Sequence, residues 1–134
     1  MAQIYINLPV KSLNQSIAFF TKLGFTFEPK FTDENATCMI VGENIFVMLL
    51  VEHFFETFTT KPLSDAKAST EVILALSYES REKVDELVAK AVEAGGKTPN
   101  PVNDLGFMYQ HGFEDLDGHL WEVFYMDEAA MPTA

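Results

Sequence analysis

The chain has 134 residues, enough for one domain with a real core but not for two independent ones. Twenty acidic residues against nine basic ones give a formal charge of -11. Phosphate binding needs clustered Lys and Arg, so this balance argues against a nucleic-acid or anionic-membrane partner, while 48% hydrophobic with 22% charged residues argues for an ordered globular chain.

No apolar run approaches the roughly 20 residues of a membrane helix, and no basic, apolar and small-residue sequence marks an export signal, so a cytoplasmic location is expected. Cys38 stands alone, without a Cys-x-x-Cys partner, and its neighbours Met39, Ile40 and Val41 suggest a buried thiol.

From the start, Gln3 to Val10 alternates like a strand, and Ser12 to Leu23 changes to a helical period with a stripe of Leu13, Ile17, Phe20 and Leu23. Ser12 with Gln15 has the form of a capping box, and Gly24 stands where a left-handed cap would close the helix. Three strands are predicted next, at Phe25 to Phe31, Ala36 to Val41 and Ile45 to Val51. His53 to Pro62 carries Phe54, Phe55 and Phe58, as a short helix over a cavity mouth or as a packed aromatic cluster.

The same order then repeats. Glu71 to Tyr78 reads as a strand, and a helix begins at Ser80 with a stripe of Val84, Leu87, Val88 and Ala91, ending at Gly95-Gly96. A short extended piece at Lys97 and Thr98, then Gly106 to Phe113 and Leu120 to Met126, supply three more strands. The offset from Ser12 to Ser80 is 68 residues, and the halves share order and punctuation but little identity.

On the last strand, Leu120, Glu122, Phe124 and Met126 share one face, so Glu122 is a carboxylate on an otherwise apolar row. Such a charge needs either water or a partner, because burying it unpaired costs several kcal/mol or shifts its pKa.

Asn7-Leu8-Pro9-Val10-Lys11-Ser12-Leu13, with Phe19-Phe20 and Leu23-Gly24-Phe25, followed by Asp115-Leu116-Asp117-Gly118-His119-Leu120-Trp121-Glu122, resembles the vicinal oxygen chelate superfamily of glyoxalases, bleomycin resistance proteins and extradiol dioxygenases. The resemblance implies an α+β fold in which two βαβββ modules form a mixed sheet wrapped around a central cavity. It sets module one at about 1–52, a linker at about 53–69 and module two at about 70–128 of a single domain covering 1–134. It also implies a homodimer and a small-molecule ligand.

Metal-dependent members of the family place a ligand on the first and fourth strands of each module. These positions fall at Glu122 and at or near Tyr5, Leu49 and Ile73, and Leu or Ile offers a hard divalent cation nothing. A binding protein without the usual four-ligand site and without a cofactor is therefore expected. The alternative is a lyase, isomerase or dioxygenase acting on a small carbonyl or hydroxylated metabolite, with Zn, Ni, Mn or Fe held by Glu122 in a rebuilt site.

If Leu116 and Asp117 form a two-residue hairpin loop, His111 falls across from Glu122, as a catalytic pair or a cross-strand ion pair. A three-residue loop would place Gly112 there instead. Tyr5 and Asn7 share the face that the resemblance assigns to the cavity, where Asn7 is a ligand contact or a buried amide. Ser77, with Ala75 and Ile73, points to the corresponding face of the second module. Candidate ligand contacts are thus Tyr5, Asn7, Ser77, Phe54 and Phe58, with Glu122 and His111 as candidate catalytic residues. His53 is read as an exposed imidazole, and Asp115-x-Asp117-Gly118 as a turn and not a calcium loop.

Overall fold

The computed structural model describes residues 2–130. The chain divides between Ser64 and Asp65 into two compact units, and that boundary lies inside the segment expected to link the modules. Each unit builds a four-stranded mixed sheet with one long helix.

In the first unit, β1 (Ile4–Val10) leads into α1 (Leu13–Lys22). The Ser12 side chain accepts the backbone N–H of Gln15 at 3.3 Å and so satisfies one of the helix's free donors. At the other end Gly24 takes a φ of 102°, and the N–H groups of Gly24 and Phe25 donate to the carbonyls of Thr21 and Phe20 in a Schellman closure.

The strand predicted over Phe25 to Phe31 is shorter than expected. Only β2 (Thr26–Phe27) pairs, and Pro29–Phe31 turns as a 3-10 helix, because Pro29 has no N–H for a ladder and the Glu28 carboxylate accepts from the N–H of Lys30. β3 (Ala36–Gly42) and β4 (Ile45–Val51) form a hairpin across Glu43 and Asn44, with an irregularity at Val41. The sheet order is β1-β4-β3-β2, and β1 runs parallel to β4.

Paired residues share a face, so register sorts this sheet into two sides. Leu8, Val10, Val47, Leu49, Thr37 and Met39 are buried on the α1 side, above Leu13, Phe19 and Phe20. The other side, here called distal, carries Tyr5 beside Phe46, Asn7 beside Met48 and Cys38, and Pro9 beside Leu50. After β4, α2 (Glu52–Phe55) packs against β1 and β4 and continues into a 3-10 turn at Glu56–Phe58.

The second unit repeats the plan with β5 (Ile73–Ser77), α3 (Arg81–Glu93), β6 (Asn103–Asp104), β7 (Met108–Glu114) and β8 (Leu120–Met126), in the order β5-β8-β7-β6. Ser80 caps α3 by accepting from the N–H of Lys83, and Gly95, at φ 110°, closes it as Gly24 closes α1. The expected extended piece at Lys97 survives as a single bridge to Glu114, while β6 was not anticipated, since neither Asn103 nor Asp104 favours strands. Val84, Leu87, Val88 and Ala91 of α3 bury against the β7 and β8 face that carries Phe113, Trp121 and Val123, and Leu74 is buried beside Trp121. No helix among the described residues is long and apolar enough to cross a membrane.

Candidate functional site

Glu122 lies on the distal face of the second sheet, the face turned away from α3. Parity settles this. Trp121 and Val123 are buried on the helix side, and Tyr109, which pairs with Tyr125, donates from its hydroxyl to Asp85 of α3 at 2.6 Å. The distal row around Glu122 is formed by Ile73, Ala75 and Ser77 on β5, Leu120, Phe124 and Met126 on β8, and Met108, Gln110, Gly112 and Glu114 on β7. Glu122 itself is half-buried. Among the described residues its carboxylate has no hydrogen-bond or ion-pair partner.

The pairing of His111 with Glu122 that a two-residue loop would give does not form. The register sets Gly112 opposite Glu122 and His111 opposite Val123, because the connection runs over Asp115 to His119. Shifting a strand by one residue moves each side chain to the other face. His111 therefore lies on the α3 side, in a cleft with Val88, Ala89, Val92 and Val102, and cannot join Glu122 in a cross-strand pair or a shared site.

The long connection is held by Asp115, a residue read from sequence only as part of a turn. One of its carboxylate oxygens accepts the backbone N–H groups of Asp117 at 2.9 Å and His119 at 3.0 Å, and the other accepts Trp121 Nε1 at 3.0 Å. Asp115 is buried, and burial pushes its carboxyl above the ordinary value near 3.8 against the pull of His119 and of these donors. His119 is buried too. At the apex, Gly118 has a φ of 92° and lies so close to the 66–67 backbone that an added Cβ would be 2.7 Å from the nitrogen of Lys67. The Asp-x-Asp-Gly signature was visible in the sequence, but the six-residue reach from Asp115 to the Trp121 indole was not.

The other candidates divide by unit. Tyr5 is 44% exposed and stacks on Phe46 with ring centroids 4.7 Å apart. Asn7 is also exposed, so the buried-amide reading does not hold, and its Nδ2 donates to the Tyr5 carbonyl at 3.3 Å. Phe54 and Phe58 meet edge to face at 5.2 Å, with Phe58 69% exposed, so this pair is not packed into a core. Ser77 is exposed on the Glu122 face of module two, one β5 pair from Ala75. His53 is exposed, as its sequence setting suggested.

The repeat allows the family's ligand positions to be located by register. Glu122 pairs with Ala75, and the matching rung of module one is Asn7 with Met48. Leu49 does not occupy the equivalent position: it is fully buried on the α1 side, and Met48 takes its place on the distal face. The first-strand positions expected at or near Tyr5 and Ile73 lie on the same distal faces, one rung from Asn7 and Ala75. At these positions and the neighbouring Asn7 and Ala75 the polar donors are the Glu122 carboxylate, the Tyr5 phenol and the Asn7 amide. The Met48 thioether and the aliphatic side chains of Ile73 and Ala75 add nothing that a hard divalent cation accepts. Among the described residues no three His, Cys, Asp or Glu side chains gather to hold a metal. The donor set does not fit the family's four-ligand centre.

Cys38 is buried on the distal face of module one beside Met48, and burial together with the nearby Glu28 carboxylate raises its thiol pKa, the opposite of what a nucleophile needs.

A family model described as Glyoxalase/Bleomycin resistance protein/Dioxygenase superfamily matches residues 3–123. The chain belongs to this superfamily. Among solved structures, the chain is similar to a hypothetical protein from S. aureus at 28% identity, covering 93% of this chain and 94% of that one with a TM-score of 0.80. A glyoxalase-related enzyme from Fulvimarina pelagi is 18% identical, covering 100% and 94%, with a TM-score of 0.80. A fosfomycin resistance protein from Listeria monocytogenes is 18% identical over 93% of each chain, with a TM-score of 0.67. At such identities the last two establish the superfamily fold and no activity. No curated protein matches the sequence.

Proposed function

We propose that this superfamily member binds a small molecule at Glu122, without the usual four-ligand metal centre. The observation that carries the reading is a half-buried carboxylate, unpartnered among the described residues, on a sheet face whose adjacent strands present only Ala75 and Gly112 beside it. A buried polar group is normally satisfied, and a ligand that donates a hydrogen bond would satisfy this one. Ser77 is the nearest further polar group on β5, one rung along. Module one carries its own ligand-facing candidates in Tyr5, Asn7, Phe54 and Phe58.

The alternative is a metal-dependent lyase, isomerase or dioxygenase acting on a small carbonyl or hydroxylated metabolite. Its support is the family position of Glu122, and it loses His111 as a helper because that imidazole lies on the opposite face. The protein acts as a homodimer in the cytoplasm in either case; light scattering giving the mass of a single chain would contradict the dimer.

The test is a thermal-shift screen of small carbonyl- and hydroxyl-bearing metabolites on the wild type and Glu122→Gln. A compound that raises the wild-type Tm and leaves that of Glu122→Gln unmoved supports the site. Ligands that stabilise both proteins equally would place binding elsewhere.

A further inference from the structure

The residue opposite Glu122 is a glycine whose backbone does not call for one. Gly24, Gly95, Gly106 and Gly118 adopt positive φ, and Gly112 does not, so an ordinary side chain would fit its backbone conformation. What excludes a side chain is the space above it. A Cβ built at Gly112 would lie 3.2 Å from Glu122 Oε2, 3.3 Å from Glu122 Cδ and 3.0 Å from the carbonyl oxygen of Trp121. The Glu122 carboxylate therefore folds sideways over the β7 backbone into the space that the missing side chain leaves.

On the other flank stands Ala75, whose single methyl leaves the β5 side low as well. Glu122 thus has two small neighbours and lies toward one of them. A cross-strand pair normally has Cβ atoms about 5 Å apart, so any residue larger than glycine at 112 would compete for the volume that the carboxylate occupies.

We propose that Gly112 is the positioning residue of the site: by withholding a side chain it fixes where the Glu122 carboxylate lies on the distal face. The proposal rests on the reading of Glu122 as the site carboxylate. Its test reads the carboxylate directly, with no ligand present, so it stands or falls separately from ligand binding.

Two measurements on the full chain decide it. The first is the melting temperature of the wild type, Gly112→Ala, Glu122→Asp and the double variant. Gly112→Ala should lower Tm by roughly 5 °C through overpacking. Aspartate is one methylene shorter and vacates the space, so in the Glu122→Asp background the same change should cost less than half as much. Since the Trp121 carbonyl is present in all four proteins, the difference isolates the carboxylate.

The second measurement is the carboxyl 13C NMR signal of Glu122, identified by its disappearance in Glu122→Gln. It should shift in Gly112→Ala while the other glutamate signals stay in place, which a merely structural role for the glycine would not produce. Equal Tm losses in both backgrounds, with an unmoved signal, would show that Gly112 accommodates only the Trp121 carbonyl and would overturn the proposal. If Gly112→Ala fails to fold, restoration of folding by Glu122→Asp supports it, and failure in both backgrounds overturns it.

Discussion

The two modules share one topology and differ in what they place on the rung of Glu122. In module one the first strand supplies the polar group, Asn7, and the fourth strand an apolar one, Met48; in module two the first strand supplies Ala75 and the fourth strand Glu122. Both sheets keep a buried helix-side layer, and both helices end in the same glycine closure. The helix side is therefore what the two modules share, while the distal rung differs between them, and module one still buries Cys38 there beside Met48. In module two that rung holds the half-buried carboxylate on which the proposed ligand site rests.

A second contrast lies in the hairpins. β3 and β4 turn across Glu43 and Asn44, whereas β7 and β8 are joined through Asp115 to His119 and held by one buried carboxylate. The largest effect is thus expected for Asp115→Ala, which leaves two backbone N–H groups and the Trp121 indole N–H without acceptors. It should cost about 3 kcal/mol, or on the order of 10 °C in Tm, against less than about 0.5 kcal/mol for the exposed Glu43→Ala. Equal losses in thermal melts would mean that the two turns are held alike.

Glycine substitutions sharpen the same contrast. Gly118→Ala meets the 66–67 backbone at a positive φ and should cost about 2 kcal/mol by chemical denaturation. Gly42→Ala in the first hairpin meets only the Ile45 side chain, at 3.4 Å, and should cost below about 1 kcal/mol. At the distal rung, Glu122→Gln should leave Tm within about 2 °C of wild type, because no structural partner is lost, while removing the ligand-induced shift. A large loss of Tm with retained binding would make Glu122 a structural residue.

The smallest effect is a pH dependence. Burial raises the carboxyl pKa of Asp115 in the folded state, so between its unfolded and folded values the folded chain holds the proton more firmly. This contribution to stability is complete below the ordinary value near 3.8 and is lost as pH rises through the folded pKa. Asp115→Asn should remove that component from the slope of stability against pH, measured by denaturant titration. An unchanged slope would mean that the pKa is not raised.

How much of this was legible in the sequence depends on the range of the interactions involved. Helix ends were readable because capping is local: Ser12, Gly24, Ser80 and Gly95 act within a few residues. The β8 span was readable from alternation and its turn signal. The register of β7 was not, because it depends on the length of the loop, and that is set by Asp115 reaching six residues forward to an indole. The same one-residue uncertainty misplaced Leu49 for Met48 and left His111 and Gly112 as alternatives. Glu122 was legible as a charge on an apolar row, but the glycine that makes room for it was not, because its place opposite Glu122 depends on the β7–β8 register.

The central claim, a ligand site at Glu122 without a four-ligand metal centre, is tested most directly by elemental analysis of the protein purified without chelators. The account predicts far less than one equivalent of any transition metal per chain in both the wild type and Glu122→Gln. About one Mn, Fe, Ni or Zn per chain in the wild type, lost in Glu122→Gln, would contradict it.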